Sequence, residues 1–219
     1  MKKEEKEKPS GIEDVLSTNP LFSGLEEFYL KDMLKRGETS SYPEGTQIIC
    51  EGDVGDAVYF ITSGKVKVTL YGEEGREIVL AVLKAGDMFG EMSIIDEKPR
   101  SANVEAIEDL ECFKVSRGAF LEYLAKHHKV YMRLFAYLTT RLREATRKIG
   151  GLALLDVCGR IAHTLLGMAG PAGASRQKGS VLSIERPTHE ELAAMIGSSR
   201  EVVSRALKKM TQEGYIRIE

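Results

Sequence analysis

Short β-rich runs separated by glycine-containing turns fill the stretch from Thr39 to Val115, and they constrain the fold of this chain more than any other feature. The runs recur at a spacing of about ten residues, which is typical of an antiparallel roll or sandwich. A roll of this kind leaves a hollow between its sheets in which a ligand could be held. The strands predicted in this way are Gln47–Cys50, Val58–Thr62, Lys65–Tyr71, Ile78–Leu83, Ala102–Ala106 and Glu111–Val115.

Within this region, the segment from Phe89 to Ala102 gathers residues suited to an anionic ligand. Arg100 offers a planar pair of N–H donors that matches two oxygens of a phosphodiester. Ser101 can add a hydroxyl and a backbone N–H to the same anion. Gly90 allows the chain to approach a ligand closely, because glycine has no Cβ.

The start of the same segment completes the ligand chemistry. Glu91 can accept a hydrogen bond from a ribose 2′-OH, as an acidic residue does in dinucleotide sites. If Met92, Ser93 and Ile94 begin a short helix, its free N–H groups would also face the phosphate. The whole set indicates a pocket for a cyclic nucleotide, whereas Glu91 and Arg100 alone would more often form a surface ion pair beside a turn.

A long helix is predicted from Arg117 to about Leu155. Its apolar residues recur at alternating steps of four and three, and they are Tyr131, Phe135, Leu138, Leu142, Ala145, Ile149 and Leu152. A seam as regular as this favours packing against a partner helix, and we therefore expect a parallel homodimer. Packing of this helix on the roll could explain part of the seam. A hinge is expected at Leu154–Asp156, with Asp156 capping a further helix from Val157 to Met168.

The C-terminal region has the pattern of a helix-turn-helix. Thr188 and Glu191 have the spacing of a capping box that opens a helix, and a tight turn at Gly197 precedes a second helix. The exposed start of that helix carries types that read base edges, because Arg can grip guanine and Glu can accept from cytosine N4. The predicted DNA contacts are Ser198, Ser199, Arg200, Glu201, Ser204, Arg205 and Lys208.

Alternatives remain for this face. A solvated surface with a Glu201–Arg205 pair would give a similar pattern. Lys209 is an alternative to Lys208 as a phosphate contact.

Val181–Ile184 and Tyr215–Ile218 are candidate strands of a wing.

The segment Phe89–Ala102, called the cassette below, resembles the phosphate-binding cassette of the cyclic-AMP receptor protein family, the bacterial CRP/FNR regulators. The resemblance runs from about Pro20 to Ile218. It includes roll motifs at Pro43–Thr46, Glu51–Asp53, Gly55–Ile61 and Ser63–Val68, and hinge motifs at Leu155–Val157 and Gly159–Ala162. The second helix is similar to the family's recognition helix at Arg200, Glu201 and Arg205, while Ser204 looks like the FNR branch.

The Lys/Glu-rich composition of residues 1–10 predicts a disordered tail. For the rest of the chain, the patterns and the resemblance imply an α+β fold in three parts: a cyclic-nucleotide-binding antiparallel β-roll (11–130), a dimerisation helix with its hinge (131–155) and a winged helix-turn-helix (156–219). The resemblance also concerns the effector. It implies cyclic AMP as effector. The family's cyclic-AMP sensors carry Thr-Ser on the long helix, where this chain has Ala145 and Thr146. Thr146 of a partner chain could still bond the base, and cyclic GMP and cyclic-di-GMP stay open.

Composition narrows the classes of function. The 42% hydrophobic and 29% charged content is ordinary for a globular protein. Three cysteines, Cys50, Cys112 and Cys158, fit no metal or disulfide spacing, so no metal is expected. The net charge of −2 divides into +2 from Asp156 onward and −4 before it, which permits DNA binding. No run suits a membrane span or a signal peptide, so a cytoplasmic location is expected.

These patterns predict a homodimeric, ligand-gated transcription regulator that binds a cyclic nucleotide, then a palindromic DNA site, with RNA polymerase as a further partner. Two alternatives stay open: a regulator of the same shape that acts without ligand, and a cyclic-nucleotide module that regulates a partner protein. No nucleophile–base or metal constellation is evident, so the chain is not expected to be an enzyme.

Overall fold

The computed structural model of the protein describes residues 11–73, 77–169 and 182–217. Two helices open the chain, α1 (Ile12–Ser17) and α2 (Glu27–Leu34). The strands are β1 (Gly37–Tyr42), β2 (Gln47–Ile49), β3 (Ala57–Ser63), β4 (Lys65–Tyr71), β5 (Glu77–Lys84), β6 (Met88–Phe89), β7 (Asn103–Ala106) and β8 (Leu110–Ser116). The remaining helices are α3 (Met92–Ile95), α4 (Arg117–Lys126), α5 (His128–Leu154), α6 (Val157–Met168), α7 (His189–Ile196) and α8 (Arg200–Gln212).

The strands form two four-stranded sheets, with orders β1-β8-β3-β6 and β2-β7-β4-β5. The pairings of β8 with β1 and β3, and of β7 with β2 and β4, are antiparallel. One apolar cluster takes residues from both sheets and fills the space between them. This arrangement is the predicted β-roll.

Strand β3 is buried on both faces. Because successive side chains of a strand point to opposite faces, Tyr59 and Ile61 join the cluster between the sheets while Val58 and Phe60 join a second cluster with the helices. The strand therefore forms a fixed wall of the roll, and its first residue, Ala57, is fully buried.

The predicted strands all form, with ends shifted by at most one residue. Two strands escaped prediction. Gly37–Tyr42 is polar along most of its length, and it forms a strand because it pairs residue by residue with β8. Met88–Phe89 has only two residues, too few for any periodicity to register.

The prediction of one helix from Arg117 to Leu155 was wrong, because α4 and α5 are separated at His127, whose φ and ψ are −121° and 79°. The His127 ring is buried, and its Nε2 lies 2.7 Å from the carboxylate of Asp32 on α2. Its carbonyl accepts from the backbone N–H groups of Val130 and Tyr131, so His127 begins the next helix.

The chain divides into two compact units. Of the described residues, 11–70 with Ala81–Leu142 form one, and 71–73 and 77–80 with 143–169 and 182–217 form the other. Helix α5 contributes residues to both. In the second unit, Lys148 of α5 donates to the backbone carbonyls of Val79 and Leu80.

The helix-turn-helix forms as the capping residues predict. Asp156 accepts from the N–H of Gly159 and caps α6, and Thr188 and Glu191 make both bonds of a capping box on α7. Gly197 ends α7 at a φ of +63°, a left-handed conformation that favours glycine. Helices α6, α7 and α8 share one apolar cluster, which includes Ile161, Leu192, Val203 and Leu207.

Residues 182–184 and 215–217 form no strand, so the proposed wing is not seen in the part of the chain that the structure describes. Val181, Ile218, the tail 1–10 and most of the loop that follows α6 lie outside the described residues. Among the helices that could be searched, none combines the length and apolar character needed to cross a bilayer.

Candidate ligand and nucleic-acid sites

Arg100 is the centre of the cassette, and only 5% of its surface is exposed. Its Nη1 donates to the carbonyl of Gly90 at 2.7 Å and to the hydroxyl of Ser93 at 3.0 Å. Its Nη2 donates to the carbonyl of Ala57 at 2.9 Å and to the carboxylate of Asp56 at 3.2 Å. The guanidinium thus holds β3, Gly90 and α3 together.

Gly90 is required by this geometry. Its φ is +82°, and a Cβ added there would lie 2.8 Å from Nη1 of Arg100 and 3.0 Å from the carbonyl oxygen of Ala57. A side chain would crowd both groups, so glycine is needed here for the packing of Arg100 and for the backbone conformation, while the close approach to a ligand expected from the sequence stays a prediction. The short helix expected after Gly90 also forms, as α3, and it places Ser93 against Arg100.

Glu91 is buried, with 4% of its surface exposed. Burial raises the pKa of its carboxyl, while the positive charges of Arg141 and Arg100 act in the opposite direction. A buried carboxyl whose charged form is favoured by two guanidinium groups is suited to accept a hydrogen bond from a ligand hydroxyl.

Arg141 was missed in the sequence. It lies on α5, fifty residues after Glu91, and donates to the hydroxyl of Tyr137 at 2.8 Å. The signal in the sequence is one Arg between the seam residues Leu138 and Leu142, which a solvated helix face would also give. Only the fold brings it to the cassette.

The other predicted ligand residues are at the surface. Met92 is 53% exposed, and the Ser101 hydroxyl lies 3.8 Å from its sulfur atom. Thr146 is exposed on α5. The structure places Gly90, Ser93 and Arg100 in direct contact, and the buried Glu91 follows Gly90 in the sequence. Met92, Ser101 and Thr146 are exposed. Ligand binding by all seven residues stays a prediction.

Helix α8 has one buried and one polar face. Val203, Ala206, Leu207 and Met210 are buried, and Val202, also expected to point inward, is partly exposed. The predicted contacts Glu201, Ser204, Arg205 and Lys208 are all exposed. A long polar face on the second helix of this motif suits the major groove of DNA.

The start of α8 shows local bonds that the sequence did not reveal. The Ser199 hydroxyl accepts from the N–H of Val202, so it caps the helix, and Ser198 is half-buried. Arg200 donates to the carboxylate of Glu190 on α7 at 3.1 Å. The pKa of Glu201 is lowered by its own backbone N–H and by the Ser199 hydroxyl, which keeps the carboxylate charged and able to accept.

Within the described ranges, no group of three or more His, Cys, Asp or Glu side chains could hold a metal ion.

Two family models match separate parts of the chain. Residues 39–127 match the family model of the cyclic nucleotide-binding domain, and residues 159–219 match the Crp-like helix-turn-helix domain.

The chain is similar to curated proteins over nearly its whole length. It is 33% identical over 209 residues to the CRP-like cAMP-activated global transcriptional regulator of Mycobacterium tuberculosis, covering 95% of this chain and 92% of the relative. It is 36% identical over 200 residues to the cyclic AMP receptor protein of Thermus thermophilus, covering 91% and 89%.

Solved structures of bacterial regulators are also similar to this chain. The c-di-GMP-responsive global regulator CLP of Xanthomonas campestris superposes with a TM-score of 0.77 at 26% identity, over 89% of this chain and 96% of that one. The Thermus thermophilus catabolite activator protein gives a TM-score of 0.57 at 36% identity, over 92% and 91%.

A β-roll with this cassette, joined to a helix-turn-helix, defines a cyclic-nucleotide-binding transcription regulator. The chain belongs to the CRP/FNR family, the family of the cyclic-AMP receptor protein. Its relatives are regulators and not enzymes, as expected from the sequence.

Burial of Glu91 predicts a pH-dependent stability. Because the pKa of the folded state is raised above the ordinary value of 4.5, the contribution of this group to stability is fully present below that value and is lost as the pH rises through the folded pKa. Glu91→Gln keeps the shape without the charge, so its free energy of unfolding should fall less than that of the wild type from pH 4.5 upward. Urea unfolding of both proteins over a pH series measures this, and parallel pH dependences would contradict it.

Proposed function

We propose that this regulator binds cyclic AMP in the cassette, and that binding gates recognition of a palindromic DNA site by a homodimer. The buried fork of Arg100 beside Gly90 carries the proposal. It is a preformed cation next to backbone that can approach a ligand closely. The relatives from Mycobacterium tuberculosis and Thermus thermophilus, which are named for cyclic AMP, support this choice of effector.

The bonds of Arg100 show how a phosphate could be accepted. Three of its four partners are neutral oxygens, on Gly90, Ser93 and Ala57, and the fourth is the carboxylate of Asp56. The Asp56 side chain is 70% exposed, so it is the partner that can leave most easily. A cyclic phosphodiester carries one negative charge and would take the place of this carboxylate.

The identity of the base is decided elsewhere. Ala145 cannot donate or accept a hydrogen bond from its side chain, so Thr146 of a partner chain is the candidate for the adenine contact. The structural likeness to CLP, a c-di-GMP-responsive protein, makes cyclic-di-GMP the second candidate effector. Calorimetric titration with cyclic AMP, cyclic GMP and cyclic-di-GMP distinguishes them. No binding of any of the three would favour a regulator that acts without ligand.

The homodimer is supported by the seam of α5. Phe135, Leu142 and Ile149 are 52%, 67% and 66% exposed, although they are large and apolar. Tyr131 and Phe135 pack edge to face on the same helix, with ring centres 5.0 Å apart. Apolar residues in a heptad pattern that the chain itself leaves uncovered fit a second copy of the same helix.

DNA binding by such a dimer places two copies of α8 about 34 Å apart, one turn of DNA. The effector would promote this spacing by binding one arrangement of the dimer more tightly than the other, since a ligand shifts an equilibrium only through differential affinity. A promoter-bound dimer would then contact RNA polymerase.

Arg100→Leu should abolish binding of the cyclic nucleotide. The loss of a buried, hydrogen-bonded charge pair costs about 2–5 kcal/mol. The variant should also be less stable, because the carbonyls of Gly90 and Ala57 lose their donor. Calorimetry on protein shown to be folded by circular dichroism measures the effect. Arg117→Leu, which removes an arginine paired with Glu97 outside the fork, is the matched control and should bind normally. Retained affinity in Arg100→Leu would refute the site.

Leu142→Glu with Ile149→Glu should yield monomers and abolish binding to a palindromic site. Both residues are exposed in the single chain, so the fold should survive, while a dimer would bury four unpaired carboxylates. Ala136→Glu with Thr140→Glu adds the same charge on exposed positions of α5 outside the seam and should leave the dimer intact. Sedimentation compares them. Dimers of equal stability in both variants would show that the seam is not the interface.

Variants of the polar face of α8 should differ in kind. Glu201→Ala should relax the preference at one base pair of each half-site, and Arg205→Ala should flatten the preference at a guanine, each contact being worth roughly 1–3 kcal/mol. Lys208→Ala should weaken all sequences alike and reduce the salt slope by about one, because it meets a phosphate. A selection from randomised palindromes and a salt titration measure these effects. An unchanged motif in both Glu201→Ala and Arg205→Ala would mean that this face does not read bases.

A further inference from the structure

The hydroxyl of Tyr137 joins α5 to the strand that leads into the cassette. Only 7% of the surface of Tyr137 is exposed. Its Oη donates to the carbonyl of Met88 at 3.1 Å and accepts from Nη1 of Arg141 at 2.8 Å. A phenol has one O–H, so donation to the carbonyl leaves the oxygen lone pairs for the guanidinium.

Both contacts lead to Glu91. Met88 begins β6, which runs directly into Gly90 and Glu91. Arg141 lies one helical turn after Tyr137, with its guanidinium carbon 5.7 Å from the centre of the Tyr137 ring. Its positive charge lowers the pKa of Glu91 against the effect of burial.

We propose that Tyr137 is a positioning residue, which holds the Arg141 guanidinium beside the buried Glu91 carboxyl and so sets the affinity of the cassette for its effector. The part that concerns affinity rests on the proposed function. The part that concerns Arg141 and Glu91 belongs to the free protein and can be tested without a ligand.

Arg141 and Arg100 both affect Glu91, but they are held by different contacts. Burial raises the pKa of Glu91, and both guanidinium groups lower it. The pKa of Tyr137, which burial raises, also responds to the charges of Glu91, Arg141 and Asp87. Arg100 is held by four contacts of its own, none of them to Tyr137. Removal of the Tyr137 hydroxyl therefore breaks none of the four bonds of Arg100, and it releases the contacts with Arg141 and with the Met88 carbonyl.

A merely structural role is the competing explanation, since the Tyr137 ring is part of the apolar cluster between the roll and its helices. Tyr137→Phe keeps the ring and removes both hydrogen bonds. Tyr123→Phe is the matched control. Tyr123 is fully buried in the same cluster, and its hydroxyl donates to the carbonyl of Tyr29 at 2.7 Å, away from the cassette.

The first measurement needs no effector. The side-chain carboxyl carbon of Glu91 is followed by NMR as the pH is changed, with Glu91→Gln to assign its signal. The pKa of Glu91 should be higher in Tyr137→Phe than in the wild type, because Arg141 is no longer held beside it, and Tyr123→Phe should titrate like the wild type. An unchanged titration in Tyr137→Phe, or an equal shift in both variants, would overturn the proposal.

The second measurement uses calorimetry with cyclic AMP. Tyr137→Phe should bind about tenfold more weakly, the effect of one hydrogen bond to a charged group. Arg141→Gln should weaken binding, and adding Tyr137→Phe to it should weaken binding by less than Tyr137→Phe does alone, because the two variants share the Tyr137–Arg141 contact but not the bond to the Met88 carbonyl. Full affinity in Tyr137→Phe, or additive losses, would overturn the role in effector binding. A wild type that binds none of the three cyclic nucleotides would refute the proposed function alone, since the NMR titration still decides whether Tyr137 positions Arg141.

Discussion

The buried guanidinium of Arg100 is the interaction on which the N-terminal unit depends. A charge removed from water is costly unless its hydrogen-bonding groups are satisfied, and this one is satisfied by groups from separate parts of the chain. Ala57 begins β3, Gly90 follows β6 and Ser93 belongs to α3. The side chain that is suited to an anionic effector is therefore also the one that ties these segments together, and an effector that competes for the fork acts on contacts that hold the roll.

One face of helix α5 packs on the roll, and the other face carries the seam. Val130, Leu134 and Tyr137 are buried against the roll, while Phe135 and Leu142 are exposed. The two faces belong to one continuous helix, so a change in how the cassette holds α5 alters the seam as well. This gives a physical route by which a small ligand could influence the geometry of a dimer, without any large rearrangement of the roll itself.

The sequence predicts well what depends on local chemistry. Asp156 and Thr188 cap helices and Gly197 ends one, and each of these is visible in a few neighbouring residues. The β-roll also follows from local patterns, because its strands are short and its turns carry glycine. Predictions that depend on distant partners fared less well.

The strand Gly37–Tyr42 has no pattern of its own and is defined by β8, which lies some seventy residues further along the chain. The charge of Arg141 lowers the pKa of Glu91 only because α5 packs on the roll, and Arg200 bonds to Glu190 on the preceding helix. The break at His127 depends on Asp32, ninety-five residues away. Periodicity alone could not show it, since both flanking helices have the same apolar spacing.

That break sets the rotational phase of α5. Since His127 accepts the first N–H groups of the helix while its ring is fixed to Asp32, the direction in which every later side chain points depends on the contacts of His127 with α2 and with the end of α4. Each residue adds about 100° of rotation, so a single insertion between His127 and Tyr131 would turn the whole seam by more than a quarter of a circle. The number of residues between His127 and Tyr131 is therefore a constraint on quaternary structure, although none of the residues between them belongs to the seam.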